Sequence, residues 1–338
     1  MTGVNTEKLT SLGITHTNWI DSNTIVYIET PLQAINAKEL LHDAAPKNLR
    51  LIIRESTYQS YNSRLRKVMS FLNMEYESVK ITSGFSVIRL MGLIFDIAMS
   101  CPPPTSFLIL GDHDSRICKI LSKVFSKKMK IIYLDDGVGT LDVYAKYLGQ
   151  KPINYFTFFD LQSRSNFHVA KHNFEYLSSR RRALHKDRHP NLFIGSPLVE
   201  GNFCSKKQYC EYIRTATEIS TSTLTYLPHP KEERSNWEAY EAEFNFEQLL
   251  IIELPIEIEI ISGNISAETI FSMMSTSVLT LLALAPNINV IGLDIPESER
   301  GLQKARGAYD HYAMTVRAAQ AYQNFSLVSK EKCITTRK

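Results

Sequence analysis

IIYLDDGVGT, residues 131–140, joins an apolar run to two adjacent acids and a glycine. Ile131, Ile132, Tyr133 and Leu134 read as a short strand buried on both faces, as in a parallel sheet covered by helices. Asp135, Asp136 and Gly137 then stand at the strand's mouth. Asp and Gly are favoured turn residues and can cap a following helix. Two close carboxylates also raise one another's pKa, and burial raises it further. The stretch therefore fits a turn or a general base that takes a proton from an attacking hydroxyl, with Gly137 letting the backbone approach a substrate.

Working outward, SFLILG (106–111) reads as a second buried strand before this one. TIVYIE (24–29), LRLIIRE (49–55) and ESVKI (77–81) read as three more, and helical spacing fills LQAINAKELLHDAA after the first. SVIRLMGLIFDIAMS (86–100) predicts a buried helix that stops before Pro102, Pro103 and Pro104. Strand and helix in alternation argue for an α/β chain with a parallel sheet. A polar, basic stretch, SSRRRALHKDRHP (178–190), predicts a solvated linker or exposed helix; a patch for an anionic lipid or glycan is the other reading. The pattern then restarts. NLFIGSP (191–197), TLTYLPHP (223–230), IEIEII (256–261) and NVIGLD (289–294) read as strands, with a helix from about Ser266. Two doubly wound parallel-sheet domains are expected, 1–185 and 190–338, facing a central cleft lined by strand carboxyl ends.

Composition agrees with a two-domain globular protein: 338 residues, 44% hydrophobic and 22% charged. Lys plus Arg number 38 against 35 Asp plus Glu, and a net +3 is too small to argue for nucleic acid. The five cysteines (Cys101, Cys118, Cys204, Cys210, Cys333) form no CxxC pair, which fits a reducing cytoplasm better than a disulfide framework or zinc site. MTGVNTEKLT has no charged start followed by an apolar stretch, so no secretory leader is expected. VLTLLALA (278–285) is too short to cross a bilayer, and Arg89 and Asp96 interrupt residues 86–100. The chain has no Walker A loop, no GxGxxG after the first strand, no HEXXH and no GxSxG. That counts against common NTPases, dehydrogenases, zincins and serine hydrolases.

Three further polar stretches fall at predicted strand ends. His229, before Pro230, fits a structural hydrogen bond or a donor to a leaving phosphate. Ser275, Thr276 and Ser277 fit a helix cap or a phosphate site, where hydroxyls meet free backbone N–H groups. Asp112-His113-Asp114 is a literal D-x-D of the kind that can hold a divalent metal, although alternate strand positions point apart. His113 and Arg116 lining the cleft without metal is the preferred reading.

In order and spacing, ETPLQAINA, LDDG, the Gly-Ser-Pro exit, HP, an acidic strand (IEIEII) and STS together resemble the bacterial sialyltransferases. That superfamily includes the lipooligosaccharide sialyltransferases (glycosyltransferase family 52) and the capsular polysialyltransferases. The resemblance spans roughly residues 24 to 295. It implies a GT-B fold and transfer of sialic acid from CMP-sialic acid to a hydroxyl of a cell-surface glycan (lipooligosaccharide, O-antigen or capsule). No metal and no other cofactor is expected. It implies Asp135 as general base and His229 serving the departing phosphate; Asp136 and Gly137 then fall on the acceptor side of the cleft, with Asp136 shaping the turn or tuning its neighbour. Ser275, Thr276 and Ser277 would bind that phosphate. Glu259 on the preceding strand would hold the ribose, with Glu257 as the fallback, and Gly195, Ser196 and Pro230 would complete the donor side. His113 sits near where a relative places a second cleft histidine, on the acceptor side where Arg116 is also expected.

Expected partners are thus a CMP-sugar and an oligosaccharide, with no nucleic acid. Peripheral association with the inner face of the bacterial membrane stays open, through the basic stretch or GLQKARGAYDHYAMTVRAAQ (301–320), as does the oligomeric state. Three alternatives stand beside this one. They are a GT-B transferase using another CMP-activated nonulosonic acid or Kdo, a metal-dependent GT-A transferase built on Asp112 and Asp114, and a non-catalytic nucleotide-sugar-binding assembly protein.

Overall fold

In a computed structural model, the described residues are 4–42, 45–57, 59–81, 86–100, 106–149, 151–182, 187–220, 222–273, 275–296 and 306–329. The chain divides into two compact units, Met1–Ser179 and Arg180–Lys338.

The first unit opens with α1 (Val4–Ser11) and α2 (His16–Ile20). It then alternates β1 (Asn23–Ile28), α3 (Pro31–Leu41), β2 (Asn48–Glu55), α4 (Gln59–Phe71), β3 (Glu77–Lys80), α5 (Ser86–Ser100), β4 (Ser106–Leu110), α6 (Arg116–Phe125), β5 (Lys130–Leu134) and α7 (Val138–Lys146). Two strands that the sequence reading missed follow, β6 (Ile153–Thr157) and β7 (Phe167–Lys171), and then α8 (Glu175–Ser179). The strands form one sheet in the order β3-β2-β1-β4-β5-β6-β7, and every pairing is parallel. Sequence order reverses between β1 and β4, which opens a crevice at the strands' carboxyl ends. Buried Ile25, Tyr27, Leu108, Ile131 and Tyr133 share one cluster with Leu121 and Phe125 of α6 and Leu93 and Ile97 of α5.

The second unit contains β8 (Asp187–Ile194), α9 (Lys206–Ile219), β9 (Leu224–Leu227), α10 (Arg234–Phe244), β10 (Gln248–Leu249), α11 (Ile256–Ile261), β11 (Ile265–Ser272), α12 (Thr276–Leu284), β12 (Asn289–Leu293), α13 (Arg306–Ala319) and β13 (Phe325–Val328). Its all-parallel order is β10-β9-β8-β11-β12-β13. Both sheets thus reverse between their first and fourth strands.

Four expectations need correction. IEIEII is not a strand but helix α11, and the strand is the next segment, ISAETIFS, where a helix was expected. The Ile/Glu alternation mimics a period of two, yet all six residues of α11 are buried. Glu257 and Glu259 are buried because each has a polar partner: Thr280 Oγ1 donates to Glu257, and Asn264 Nδ2 and the Leu254 N–H donate to Glu259. Second, α5 is not a buried helix. Leu93 and Ile97 face the core, but Ile88 is 80% exposed and Phe95 69%. Third, the basic stretch is no free linker. β8 already begins at Asp187, the Arg182 N–H donates to Ile261 O, and Arg188 pairs with Glu268. Fourth, Ile153–Thr157 and Phe167–Lys171 carry strands where none was expected. Residues 183–186, Pro102–Pro104, Cys101, Cys333 and residues 301–305 lie outside the described residues.

Candidate active site

Thr30 starts the site. Its hydroxyl accepts the Gln33 N–H while Gln33 Oε1 accepts the Thr30 N–H, a capping box, and Pro31 occupies the first helical turn. Gln33 is fully buried, and Oε1 also takes the Glu29 N–H at 2.7 Å. Its amide Nε2 is thereby aimed outward and donates to Asp136 Oδ1 at 2.8 Å, beside Thr30 Oγ1 at 3.2 Å. Gly111, at the exit of β4, makes room for this amide: a Cβ there would stand 1.9 Å from Gln33 Oε1.

The two acids after β5 have different surroundings. Asp135 is fully buried, and both of its oxygens are used. Oδ1 accepts from the Gly137 N–H (3.0 Å) and Thr140 Oγ1 (2.7 Å); Oδ2 accepts from Thr157 Oγ1 and the Phe158 N–H (3.3 Å). Burial pushes its pKa up to about 6 against the pull of these donors. Its backbone carbonyl accepts from Asn36 Nδ2 at 3.0 Å. Gly137 turns the chain with φ 73 and ψ −134, a region essentially reserved for glycine.

Asp136 is only half-buried, and its donors, Thr30 and Gln33, both reach Oδ1. Burial first, and then the nearby Asp112 carboxylate, push its pKa up to about 7. Asp112 is itself raised by burial, with Glu29 adding repulsion. Glu29, Asp112 and Asp136 follow β1, β4 and β5, so the acids gather at the reversal of strand order. Arg54 pairs with Glu29 at 3.0 Å.

The D-x-D residues are already engaged. Asp112 Oδ1 accepts the Asp114 N–H at 2.7 Å, and Asp114 pairs with Lys119 at 2.8 Å, which draws its pKa down. The His113 ring meets the edge of Tyr133, with centroids 5.0 Å apart, and Arg116 is exposed at the start of α6. A cavity of about 1060 Å³ opens beside α6. Lys119, Lys123, Lys127, Lys130 and Lys151 line it with His113 and Tyr133, and among the described residues no carboxylate does.

Among the described residues, the ligand-type cluster is elsewhere, at Glu39, His172 and Glu175, whose ligand atoms lie within 4.8 Å of one another. Lys8 already supplies a cation there, 3.0 Å from Glu175. His172 Nδ1 accepts the Phe174 N–H, so the neutral ring offers a proton rather than a lone pair at Nε2.

In the second unit, β9 exits through Pro228, His229 and Pro230. His229 Nδ1 accepts the Lys231 N–H at 3.1 Å, so the neutral imidazole carries its proton on Nε2 and can donate it. Glu232, which the sequence reading passed over, holds this turn: Oε2 accepts the His229 N–H at 2.5 Å and Oε1 the Tyr226 hydroxyl at 2.7 Å. Burial pushes its pKa up to about 7. Gly195 follows β8, and a Cβ on it would stand 2.3 Å from Glu232 Oε2. The next residue, Ser196, is buried and donates its N–H to Tyr209 OH at 2.9 Å. Ser275 is the N-cap of α12 but makes no side-chain cap bond, and Thr276 and Ser277 form the helix's half-buried first turn. The Gly-Ser-Pro and STS stretches thus exit the two strands between which this sheet reverses, with His229 one strand away. Glu259 and Glu257 lie instead in α11 with the partners described above, not on a strand.

Solved structures share this architecture. The MnaA protein of S. aureus, determined with UDP, matches at TM-score 0.56 and 13% identity, over 89% of this chain and 92% of that one. The UDP-GlcNAc 2-epimerase of Methanocaldococcus jannaschii matches at TM-score 0.53 and 15% identity, over 93% and 91%. At such identities the likeness is one of fold: GT-B-like, with two parallel-sheet α/β domains. That architecture removes the GT-A alternative. No curated protein matches the chain. The model of the alpha-2,8-polysialyltransferase family (POLYST) matches residues 14–293, from before the first strand to the end of β12. The acids at one sheet's strand ends and the histidine at the other's therefore stand in a sialyltransferase, and this chain belongs to the alpha-2,8-polysialyltransferase family.

Proposed function

We propose that the chain transfers sialic acid from CMP-sialic acid to an anionic, sialic-acid-bearing glycan, with Asp136 rather than Asp135 as general base. One observation carries this reading. Of the two adjacent acids, Asp136 alone combines a raised pKa near 7, partial exposure, and donors confined to Oδ1. A base poised near the working pH is the efficient one. Asp135, with both oxygens engaged, builds the turn that carries its neighbour.

The base lies in the first unit and the candidate donor-side groups lie in the second. The acceptor hydroxyl oxygen attacks the anomeric carbon as the bond from that carbon to the CMP phosphate oxygen breaks. The bonding pair leaves on the phosphate. Asp136 Oδ2 takes the hydroxyl proton late in the step, and His229 Nε2–H donates to the departing oxygen. Ser275, Thr276 and Ser277, with the first N–H groups of α12, suit the phosphate itself. One displacement inverts the β-linked donor to an α-sialoside. CMP has a single phosphate, which hydroxyls and a histidine can serve without a bridging metal. The family supports sialic acid as the sugar transferred, and the lysine-lined cavity beside α6 supports an acceptor with regularly spaced carboxylates. An acceptor of this kind would be made on the cytoplasmic side and end in a surface polysaccharide.

The purified chain should release CMP from CMP-sialic acid and lengthen an oligosialyl acceptor, read by mass spectrometry. Faster release from CMP-Kdo would overturn the donor assignment. Equal extension of a neutral galactoside would overturn the acceptor class.

A further inference from the structure

α5 is apolar on the wrong side for a helix that only packs on a sheet. Leu93 and Ile97 face the core at 5% and 0% exposure. On the opposite side Ile88, Phe95 and Met99, spaced seven and four residues apart, form one stripe, flanked by Val87 and Met91. Their exposures run from 60% to 80%. Gly92 and Ala98 continue the face without a polar atom, and a Cβ at Gly92 would meet nothing within 4 Å. The stripe runs along a helix of 15 residues, about 22 Å long. Five large apolar side chains exposed together on one helix face mark a protein or membrane contact.

The charges beside the stripe decide between them. Asp96 and Glu77 are both held by Arg50, at 2.6 and 2.7 Å. Arg89 donates to the Lys80 carbonyl at 2.8 Å, which places its guanidinium by the exposed Lys80. Arg50 offsets one of these two acids, and with Arg89 and Lys80 the border carries three cations against two carboxylates, a net positive charge. A second copy of the chain fits less well: a stable interface takes about 20–30 residues a side, and five side chains fall far short. The neighbouring edge strand β3 also carries Glu77 and Lys80, charges that discourage edge-to-edge pairing.

We propose that α5 is a membrane-surface element, its Ile88–Phe95–Met99 face entering the interfacial layer of a bilayer while Arg89 and Lys80 meet anionic headgroups. Apolar burial supplies the attachment, and the two cations supply the preference for negative lipid. The inference stands apart from the assignment of donor and acceptor.

The test is flotation of the full chain with vesicles of phosphatidylcholine alone or mixed with phosphatidylglycerol. The wild-type chain should float with the mixed vesicles. The double variant Ile88→Gln/Phe95→Gln should lose roughly tenfold or more of that binding at an unchanged melting temperature, since both positions are exposed. Arg89→Gln with Lys80→Gln should lose the preference for phosphatidylglycerol and keep the weaker binding to phosphatidylcholine. Should the first double variant unfold, Phe95→Trp serves instead, with its fluorescence quenched by brominated lipid. A wild-type chain that stays at the bottom, a double variant that floats as well as wild type, or a tryptophan that is not quenched would overturn the proposal. So would a wild-type dimer in sedimentation velocity that Ile88→Gln/Phe95→Gln splits, because the patch would then belong to a second copy.

Discussion

The exits of β5 and β9 solve opposite problems with similar parts. Each ends in a tight turn braced by an acid whose two oxygens both accept hydrogen bonds. After β9 the brace is Glu232, and the group it presents is His229, fixed through its backbone N–H at 2.5 Å. After β5 the brace is Asp135, and the group presented is a second acid, Asp136. A carboxylate withdrawn from water is costly unless hydrogen-bonded, and fully buried Asp135 has four donors where half-buried Glu232 has Tyr226 and His229. The presented group must keep a protonation site open. Asp136 does so by gathering its donors on Oδ1; His229 accepts at Nδ1, which puts the proton of its neutral ring on Nε2. Position in the motif does not tell the two acids apart; the distribution of donors does.

The sharpest break in this comparison is between the two aspartates themselves. Asp136→Asn should lower kcat by roughly a thousandfold with little change in melting temperature, because it removes a proton acceptor and keeps the shape. Asp135→Ala should instead destabilise the fold by about 2–4 kcal/mol, read by urea unfolding, since it strands four donors in a buried turn. A soluble, well-folded Asp135→Ala enzyme with no turnover would return the base to Asp135.

Next in size, Glu232→Gln should slow turnover by roughly tenfold to a hundredfold and leave the fold intact, because one amide oxygen cannot serve both His229 and Tyr226. An unchanged rate would mean that the turn holds His229 without it.

The smallest effects are opposed shifts of the pH profile. Asp136 must be ionised to act, so kcat/KM should rise with pH through about 7. Gln33→Ala removes a donor that favours the ionised form, so the rise should move to higher pH. Asp112→Asn removes a repelling carboxylate, so it should move to lower pH. Shifts in the same direction would separate Asp136 from the profile.

Much of the architecture was legible in the sequence. Runs such as SFLIL and KIIYL are apolar throughout because parallel strands are covered on both faces, and they are found as β4 and β5. IEIEII misled because a helix buried on every side shows no polar face, and its two glutamates are satisfied by Thr280 and Asn264, far along the chain or past a turn. In α5 the spacing is helical, but nothing local says that half of its apolar residues face outward. The acid pair was visible as a strand exit. Which acid stays open was not, because the answer rests on Thr157, 22 residues later, and Gln33, 103 residues earlier. Glu232 was missed for a related reason: in HPKEE it reads as a surface charge, and only its bonds to His229 and Tyr226 reveal a brace.

The bond from Thr157 to Asp135 also sets an order of events during synthesis. Thr140 and Gly137 lie within five residues of Asp135 and reach the same oxygen. The other oxygen waits for Thr157 and Phe158, at the end of β6. On the ribosome, a chain that has emerged only through α7 carries every letter of LDDG and lacks half of the donors that set its shape. The turn that positions Asp136 is completed when β6 docks on β5, so the acid pair matures together with the far half of its sheet.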